Sequence, residues 1–241
     1  MFIIILANII VGGLVGLTGI AGFLLPMLYV SLQYNVREAL ALSFLAFFVS
    51  GVIGSINYYK HGQLNIKFGT KLGMASFVGA CIGVYLNSMI EDSIVKILLY
   101  MVVLLSGISI LFRKDKVSSS NKIPNLFNII LIGFVTAIVC ALSGAGGPIL
   151  VMPLLVVLGV NVKEAIAIAL FDSVFIAIPS AIGYLSGSYS NSLLGVIFIS
   201  MLSHGVGVFI GSKYSVKVNH IIIKRTVAIG SIIIALYKLF I

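Results

Sequence analysis

Long apolar stretches separated by short polar ones run through the whole chain. Residues 97–112 and 193–210 contain no Lys, Arg, Asp or Glu. Each is close to the roughly 20 apolar residues that a helix needs to cross a bilayer. The pattern predicts about five hydrophobic helical segments in each half of the chain, at 2–17, 21–32, 36–57, 68–88 and 93–112, then at 125–142, 147–158, 162–184, 190–212 and 219–241.

Three short sequence blocks recur in the same order in the second half of the chain. Residues 17–22, 35–39 and 79–83 match residues 142–147, 161–165 and 207–211. Several matches in one order indicate an internal duplication. We therefore divide the chain into a first transmembrane repeat (1–112), a polar linker predicted to be cytoplasmic (113–124) and a second transmembrane repeat (125–241).

The third segment of each half begins with a recognisable helix start. Asn35 and Asn161 are suitable N-cap residues, and Glu38 and Glu164 follow them three positions later. An Asn or Ser cap with an acid at the third helical position can form a capping box, in which each side chain bonds the other residue's backbone N–H. We predict this arrangement in both halves.

The distribution of basic residues predicts the orientation of the segments. Cytoplasmic loops of membrane proteins are enriched in Lys and Arg. The basic loops are 57–71, with Lys60, Lys67 and Lys71; the linker, with Arg113, Lys114, Lys116 and Lys122; and 213–225, with Lys213, Lys217, Lys224 and Arg225. This rule places these loops in the cytoplasm and both termini outside.

Equivalent loops of the two halves carry opposite charge bias. Basic loop 57–71 corresponds to uncharged 185–192, whereas acidic 87–96 corresponds to basic 213–225. This is expected if the halves lie in opposite orientations, as in many transporters built from inverted repeats. We predict an all-α polytopic membrane protein made of two inverted-topology repeats. Segments 21–32 and 147–158 are short and are either short spans or re-entrant arms.

Glycine-rich breaks at 18–22 and 143–148 precede the short segment of each half. Paired broken helices in inverted repeats indicate a substrate site near the midplane, and a helix N-terminus favours anions. An alternative is that the glycines only permit close helix packing. We prefer that interpretation for four other glycine pairs: Gly12 and Gly16, Gly69 and Gly73, Gly79 and Gly83, and Gly207 and Gly211. The predicted substrate-binding residues are Thr18, Gly19, Gly22, Phe23, Ser43, Ser143, Gly144, Gly146, Gly147, Pro148 and Ser173.

Two ionisable residues lie inside apolar segments. Asp172 is near the middle of 162–184, and His204 is inside 190–212. A charged side chain at the centre of a membrane helix costs at least about 2.5 kcal/mol, so such residues are functional candidates. Both are candidates for proton coupling, and for each the alternative is a structural hydrogen bond. The residue equivalent to Asp172 in the first half is Ala46.

Composition argues against several other classes of protein. Hydrophobic residues make up 61% of the chain and charged residues 9%, and the net charge of +9 resides mainly in short loops. Such a chain predicts contact with lipid and not with nucleic acid. Three His and six acids, widely spaced, predict no catalytic residues, no metal site and no cofactor. Cys81 and Cys140 fall in apolar segments and are expected to be buried small hydrophobes.

At these motifs the chain resembles the TauE/SafE family, the sulfite exporter family of prokaryotic membrane permeases. The resemblance rests on residues 19–26, on residues 144–153 with the following Leu158-Gly159, and on the helix ending 57–65. It implies export of sulfite or a small organosulfonate across a prokaryotic cytoplasmic membrane. Ala21 in place of a usual Gly and Asp172-Ser173 in place of a small-Thr-Ser sequence depart from the family pattern.

The resulting hypothesis is a transporter that exports a small anion by alternating access, with or without proton coupling. An anion channel would share these sequence features. A transporter of a metal cation or an organic acid is a further alternative, and it would require more acidic or His residues at the midplane than the chain supplies.

Overall fold

A computed structural model describes residues 1–19, 21–112, 125–186, 191–214 and 220–240, and the linker 113–124 lies outside the described residues. The described residues form helices joined by short turns. The helices are α1 Phe2–Thr18, α2 Leu24–Ser31, α3 Val36–Lys60, α4 Ile66–Ser88, α5 Asp92–Phe112, α6 Leu126–Ser143, α7 Gly147–Val157, α8 Val162–Ser186, α9 Asn191–Tyr214 and α10 His220–Phe240. A 3₁₀ turn at Ala21–Phe23 precedes α2.

Six helices in the described part of the chain are long and apolar enough to cross a membrane: α3, α4, α5, α6, α8 and α9. Large apolar side chains point outwards. Phe127, Val157 and Phe198, for example, are 72%, 76% and 65% exposed. Such a surface is suited to lipid, and polar backbone groups are satisfied within the helices. The prediction of an all-α polytopic membrane protein is confirmed.

The helix starts agree with the sequence in one half and differ in the other. At α3, Asn35 and Glu38 form the predicted capping box. At α8, the side chain of Asn161 accepts from the backbone N–H of Lys163 at 3.0 Å, one residue earlier than the capping box requires. Asn side chains readily bond the N–H two residues ahead, and this local turn competes with the longer cap.

Each break reverses the direction of the chain. The amide of Asn8 in α1 donates to the hydroxyl of Tyr29 in α2 at 2.9 Å, so α2 folds back beside α1. Helix α7 contacts α6, the helix before the second break, so α2 and α7 are the return arms of hairpins whose tips are the two breaks. Each return arm is followed by a residue with positive φ, Gln33 after α2 and Gly159 after α7, and the next long helix begins shortly afterwards.

Helix contacts in one half have counterparts in the other. Helix α1 packs on α9 and α6 packs on α4, while α3 packs on α9 and α8 packs on α4. The equivalent helices α3 and α8 pack on each other, as do α5 and α10. Two related halves that exchange helices across a common axis would produce these contacts.

The equivalent helices α3 and α8 cross in opposite directions. Phe44, near the start of α3, stacks on Tyr184, near the end of α8, with ring centroids 5.8 Å apart. Further along α3, Gly54 faces Leu170, which is nearer the start of α8. Opposite directions are expected of inverted halves, and the sides of the membrane on which the loops lie stay a prediction.

The glycine pairs assigned to packing lie where helices touch. Gly207 and Gly211 of α9 face the backbone carbonyls of Ile9 and Gly13 in α1, and a Cβ atom at either glycine would collide with them. Gly79 and Gly83 of α4 face backbone carbonyls of α6 in the same way. Small residues let membrane helices approach closely, and the packing interpretation is confirmed. Cys140 is buried as expected, but Cys81 is exposed.

Cysteine labelling tests the inverted orientation. With Cys81 and Cys140 replaced by Ser, Met89→Cys and Tyr214→Cys each place one accessible thiol at the end of α4 or α9, where the native side chains are 64% and 49% exposed. We expect a membrane-impermeant maleimide to label position 89 from outside the cell and position 214 only in inverted vesicles. Tyr59→Cys, also at a predicted cytoplasmic end, is the control for position 214. Labelling of positions 89 and 214 from the same side would contradict inverted topology.

Candidate functional site

Each of the two breaks begins with a glycine in the left-handed conformation. Gly19 and Gly144 lie in the left-handed region, with φ of 71° and 75°. Their N–H groups donate to the carbonyls of Val15 at 2.7 Å and Cys140 at 2.8 Å. Glycine adopts this conformation without steric cost and is the usual residue after a helix end of this type. α1 and α6 therefore end at equivalent places with the same hydrogen bond.

A tyrosine from the following long helix secures each helix end. The hydroxyl of Tyr58 in α3 donates to the carbonyl of Gly16 at 3.4 Å, and that of Tyr184 in α8 donates to the carbonyl of Ala141 at 2.7 Å. Both tyrosines are almost fully buried. The two tyrosines occupy equivalent positions in α3 and α8, and the sequence contains this signal. Their bonds to the helix ends were not predicted.

The two breaks converge on one aromatic ring. Phe47, halfway along α3, lies between them, and a Cβ atom would be 2.8 Å from the ring at Gly22 and 3.1 Å from it at Gly146. Phe44 packs edge-on against Phe47, with centroids 5.6 Å apart. Phe47 was not among the predicted site residues, because nothing in the sequence distinguishes it from other buried apolar residues.

The second half places a small residue where the first half places Phe47. Ser173 of α8 is equivalent to Phe47, and it lies beside Gly147 at the start of α7. The outer parts of the breaks show a crossed arrangement as well: Gly19 faces Ile166 of α8 and Gly144 faces Leu40 of α3. Each break is therefore in contact with the long helix of the other half.

The predicted site residues are brought together in the interior. Among them only Gly22 is partly buried, and the rest are buried: Thr18, Gly19, Phe23, Ser43, Ser143, Gly144, Gly146, Gly147, Pro148 and Ser173. A ligand at the breaks would thus be shielded from water and lipid. Their role in substrate binding stays a prediction.

The four predicted hydroxyl groups bond within their own helices. Each donates to the carbonyl four residues earlier, at distances of 2.7 Å for Thr18, 2.6 Å for Ser43, 2.7 Å for Ser143 and 2.9 Å for Ser173. Ser and Thr commonly do this in membrane helices. In this conformation their protons are directed to the backbone, so the donors left for an anion are backbone N–H groups.

The start of α7 supplies such backbone groups. Gly146 precedes the helix, Pro148 in its first turn has no N–H, and no side chain caps the other N–H groups of that turn. α2 likewise begins without a side-chain cap. The first N–H groups of a helix have no partner within it, and together with the helix dipole they attract negative charge. The arrangement can hold a small anion without any basic side chain.

Asp172 lies at the interface of α8 with α4 and α6. It is fully buried, and neither carboxylate oxygen makes a hydrogen bond. The carboxyl group faces the hydroxyl of Ser76 and the thiol of Cys140. That thiol donates to the carbonyl of Gly146 at 3.2 Å. Asp172 is therefore one side chain away from the second break.

His204 lies at a different interface, between α9 and α1. It is fully buried with no hydrogen bond at either ring nitrogen, and it packs against Gly12. In the repeat it is equivalent to Ser76. The structure does not bring His204 to the breaks. Within the described residues, no group of three or more His, Cys, Asp or Glu could hold a metal ion.

Six helices in the described part of the chain are long and apolar enough to cross a membrane, and the family and relatives that the chain matches are membrane transporters. The chain belongs to the family described as "Sulfite exporter TauE/SafE", whose model matches residues 1–238.

Similar proteins come from bacteria and an archaeon. The chain is 22% identical to "Probable membrane transporter protein YdhB" of Bacillus subtilis, over 99% of this chain and 100% of the relative. It is 25% identical to "Probable membrane transporter protein MJ0441" of Methanocaldococcus jannaschii, over 90% of this chain and 85% of the relative. No solved structure matches the chain.

A pair of glycine substitutions separates backbone strain from the packing of the break. Gly62 has φ of 68° with nothing near its Cβ position, whereas a Cβ at Gly144 would collide with Leu40. We expect Gly62→Ala to cost about 1–2 kcal/mol, the left-handed penalty, and Gly144→Ala to cost about 1–3 kcal/mol more from overpacking. The measurement is thermal unfolding of the purified protein in detergent. Equal losses for both variants would refute tight contact at the break.

Proposed function

We propose that the protein exports a small anion, sulfite or a small organosulfonate, and that the anion binds between the two breaks. The observation that carries the proposal is the convergence of two equivalent helix breaks on Phe47. One break is followed by the uncapped N-terminus of α7, which supplies anion-binding groups. The family description agrees with this substrate class.

The described interior lacks the set of oxygen ligands that a metal cation needs, which favours an anion as the substrate. Among the side chains whose burial the structure describes, no Lys or Arg is buried, and Asp172 is the one buried carboxylate. A desolvated metal ion would need several oxygen ligands, which a single carboxylate does not provide. Backbone N–H groups at a helix start are sufficient for a small oxyanion.

The proposed entrance to the site is a polar cavity. It has a volume of about 480 Å³ and lies where α3 ends and α8 begins, lined by Gly62, Gln63, Leu64, Asn65, Asn161, Lys163 and Glu164. The sequence places this end in the cytoplasm, where an exported substrate enters. Amide groups and the ammonium of Lys163 are suitable for attracting an oxyanion.

Burial of the breaks favours a carrier over a channel. Phe47 is 3% exposed and is packed against both breaks, so an anion can occupy this space only if the ring or the hairpins move. Movement that opens the space to one side at a time is alternating access. A negative-inside potential drives an anion outwards by about 2.3 kcal/mol per charge per 100 mV, so uniport of an anion would already result in export.

Transport by proteoliposomes tests the proposal. We expect saturable uptake of sulfite or a small sulfonate, with counterflow, and weaker uptake of sulfate and thiosulfate. Ser173→Phe should reduce transport at least tenfold, because a second ring beside Gly147 would fill the space next to Phe47. Ser88→Phe adds the same ring at an exposed position and is the control.

Three outcomes would count against this function. Transport of none of these anions would remove the anion-export proposal. Flux that does not saturate and shows no counterflow would favour a channel. Equal activity of Ser173→Phe and Ser88→Phe, with both variants folded, would move the substrate site away from the breaks.

A further inference from the structure

We propose that Asp172, together with Ser76, forms a proton-binding site whose proton is carried with the substrate anion. The inference rests on the proposed function for the identity of the transported anion. The site itself rests on the position of the carboxyl group between α8, α4 and α6.

The first observation is a carboxyl group that is buried without partners. Asp172 is 0% exposed, and both of its oxygens lack hydrogen bonds. The hydroxyl of Ser76, which it faces, also lacks a partner. Buried polar atoms in proteins are nearly always hydrogen-bonded, and exceptions require an explanation. The other described acids differ, since Glu38, Glu91, Asp92 and Glu164 lie at helix ends.

The second observation is the absence of a balancing charge around Asp172 in the described structure. From the packed helices, Cys140 of α6 is the titratable group that faces it, and α7 carries none. The remaining titratable groups of α3, α4 and α8 are exposed, lie at helix ends or bond elsewhere: Arg37, Glu38, Tyr58, Tyr59, Lys60, Lys67, Lys71, Cys81, Tyr85, Lys163, Glu164 and Tyr184. An ion pair cannot neutralise the carboxylate, whereas a proton can.

A proton fits this place better than a metal cation. Beside the carboxyl group the one oxygen available from another helix is that of Ser76, and cations such as Na⁺ or Ca²⁺ take several oxygen ligands. A protonated carboxyl group needs a single acceptor for its hydrogen, and the oxygen of Ser76 can accept it. The pair is therefore suited to hold one proton.

The third observation connects this site to the anion site. Ser173, the next residue, lies beside Gly147, and Cys140 bonds the carbonyl of Gly146. An ionised carboxylate this close to the start of α7 would repel a bound anion strongly, because the surroundings have low dielectric. Protonation removes the repulsion. Proton and anion therefore favour each other's binding and cross the membrane together.

This coupling changes the charge that moves in each transport cycle. A dianion with one proton carries one net negative charge and is still driven outwards by a negative-inside potential. A monoanion with one proton carries no net charge. Without the proton, in Asp172→Asn, each anion carries its full charge, so a dianion moves twice the charge of the wild-type cycle.

Infrared difference spectroscopy tests the proton site without any substrate. We expect the purified protein, titrated with acid, to show a protonated-carboxyl band that is lost in Asp172→Asn and retained in Glu164→Gln, which removes a carboxyl group at the start of the same helix. A band unaffected by Asp172→Asn, or an Asp172 that keeps one protonation state throughout, would overturn the proposal. If the Asn variant does not fold, Asp172→Glu must keep the band at a shifted frequency, and an unshifted band would overturn it.

Proton flux in proteoliposomes tests the coupling. An outward gradient of a small sulfonate such as methanesulfonate, which takes up no proton itself near neutral pH, should carry protons with it in the wild type, as reported by a pH-sensitive dye. Asp172→Asn should move the sulfonate without protons, and its transport should lose dependence on an imposed pH gradient. Proton movement that persists in the folded variant would overturn the coupling. If no anion moves in either protein, the proposed function fails, and the infrared titration still decides the proton site.

Discussion

The hydrogen bonding of the peptide groups at the two breaks is the constraint on which the rest of the structure depends. Within a membrane such groups must find partners inside the protein, and a helix that stops leaves several of them free. Gly19 and Gly144 close the ends of α1 and α6, and Tyr58 and Tyr184 bond carbonyls in the last turns. The start of α7 has no side-chain cap, and the N–H groups left there are the ones that we propose for the anion.

The crossed contacts make the two breaks mutually dependent. Gly19 is held against Ile166 and Gly144 against Leu40, so each hairpin tip touches the long helix of the other half. α3 and α8 pack on each other and carry these contacts between them. A shift of one hairpin therefore changes the surroundings of the other. Concerted movement of this kind is what exchange between two openings requires.

The local features could be predicted from the sequence, and the tertiary ones could not. Repeated blocks and glycine clusters located the breaks, and the capping box at Asn35 follows from residues close in sequence. The position of Phe47 depends on how α3 crosses α8, and no local pattern encodes that crossing. The hydroxyls of Thr18 and Ser143 were expected to face a ligand, but a carbonyl of the preceding turn is a nearer acceptor. Exposure of Cys81 also depends on which face of α4 meets lipid.

The duplicated scaffold carries different chemistry at equivalent positions. Phe47 corresponds to Ser173, Asp172 to Ala46 and His204 to Ser76, although the surrounding backbone contacts correspond closely. In an alternating-access cycle of the proposed kind, the two halves exchange conformations, and identical halves would give two states of equal energy. Unequal side chains at these positions make the two states differ, because a bulky ring and an acid each reside in one half. The inward and outward states can then bind the anion and the proton with different affinities. We therefore expect the positions at which the two halves differ to determine the direction and the coupling of transport.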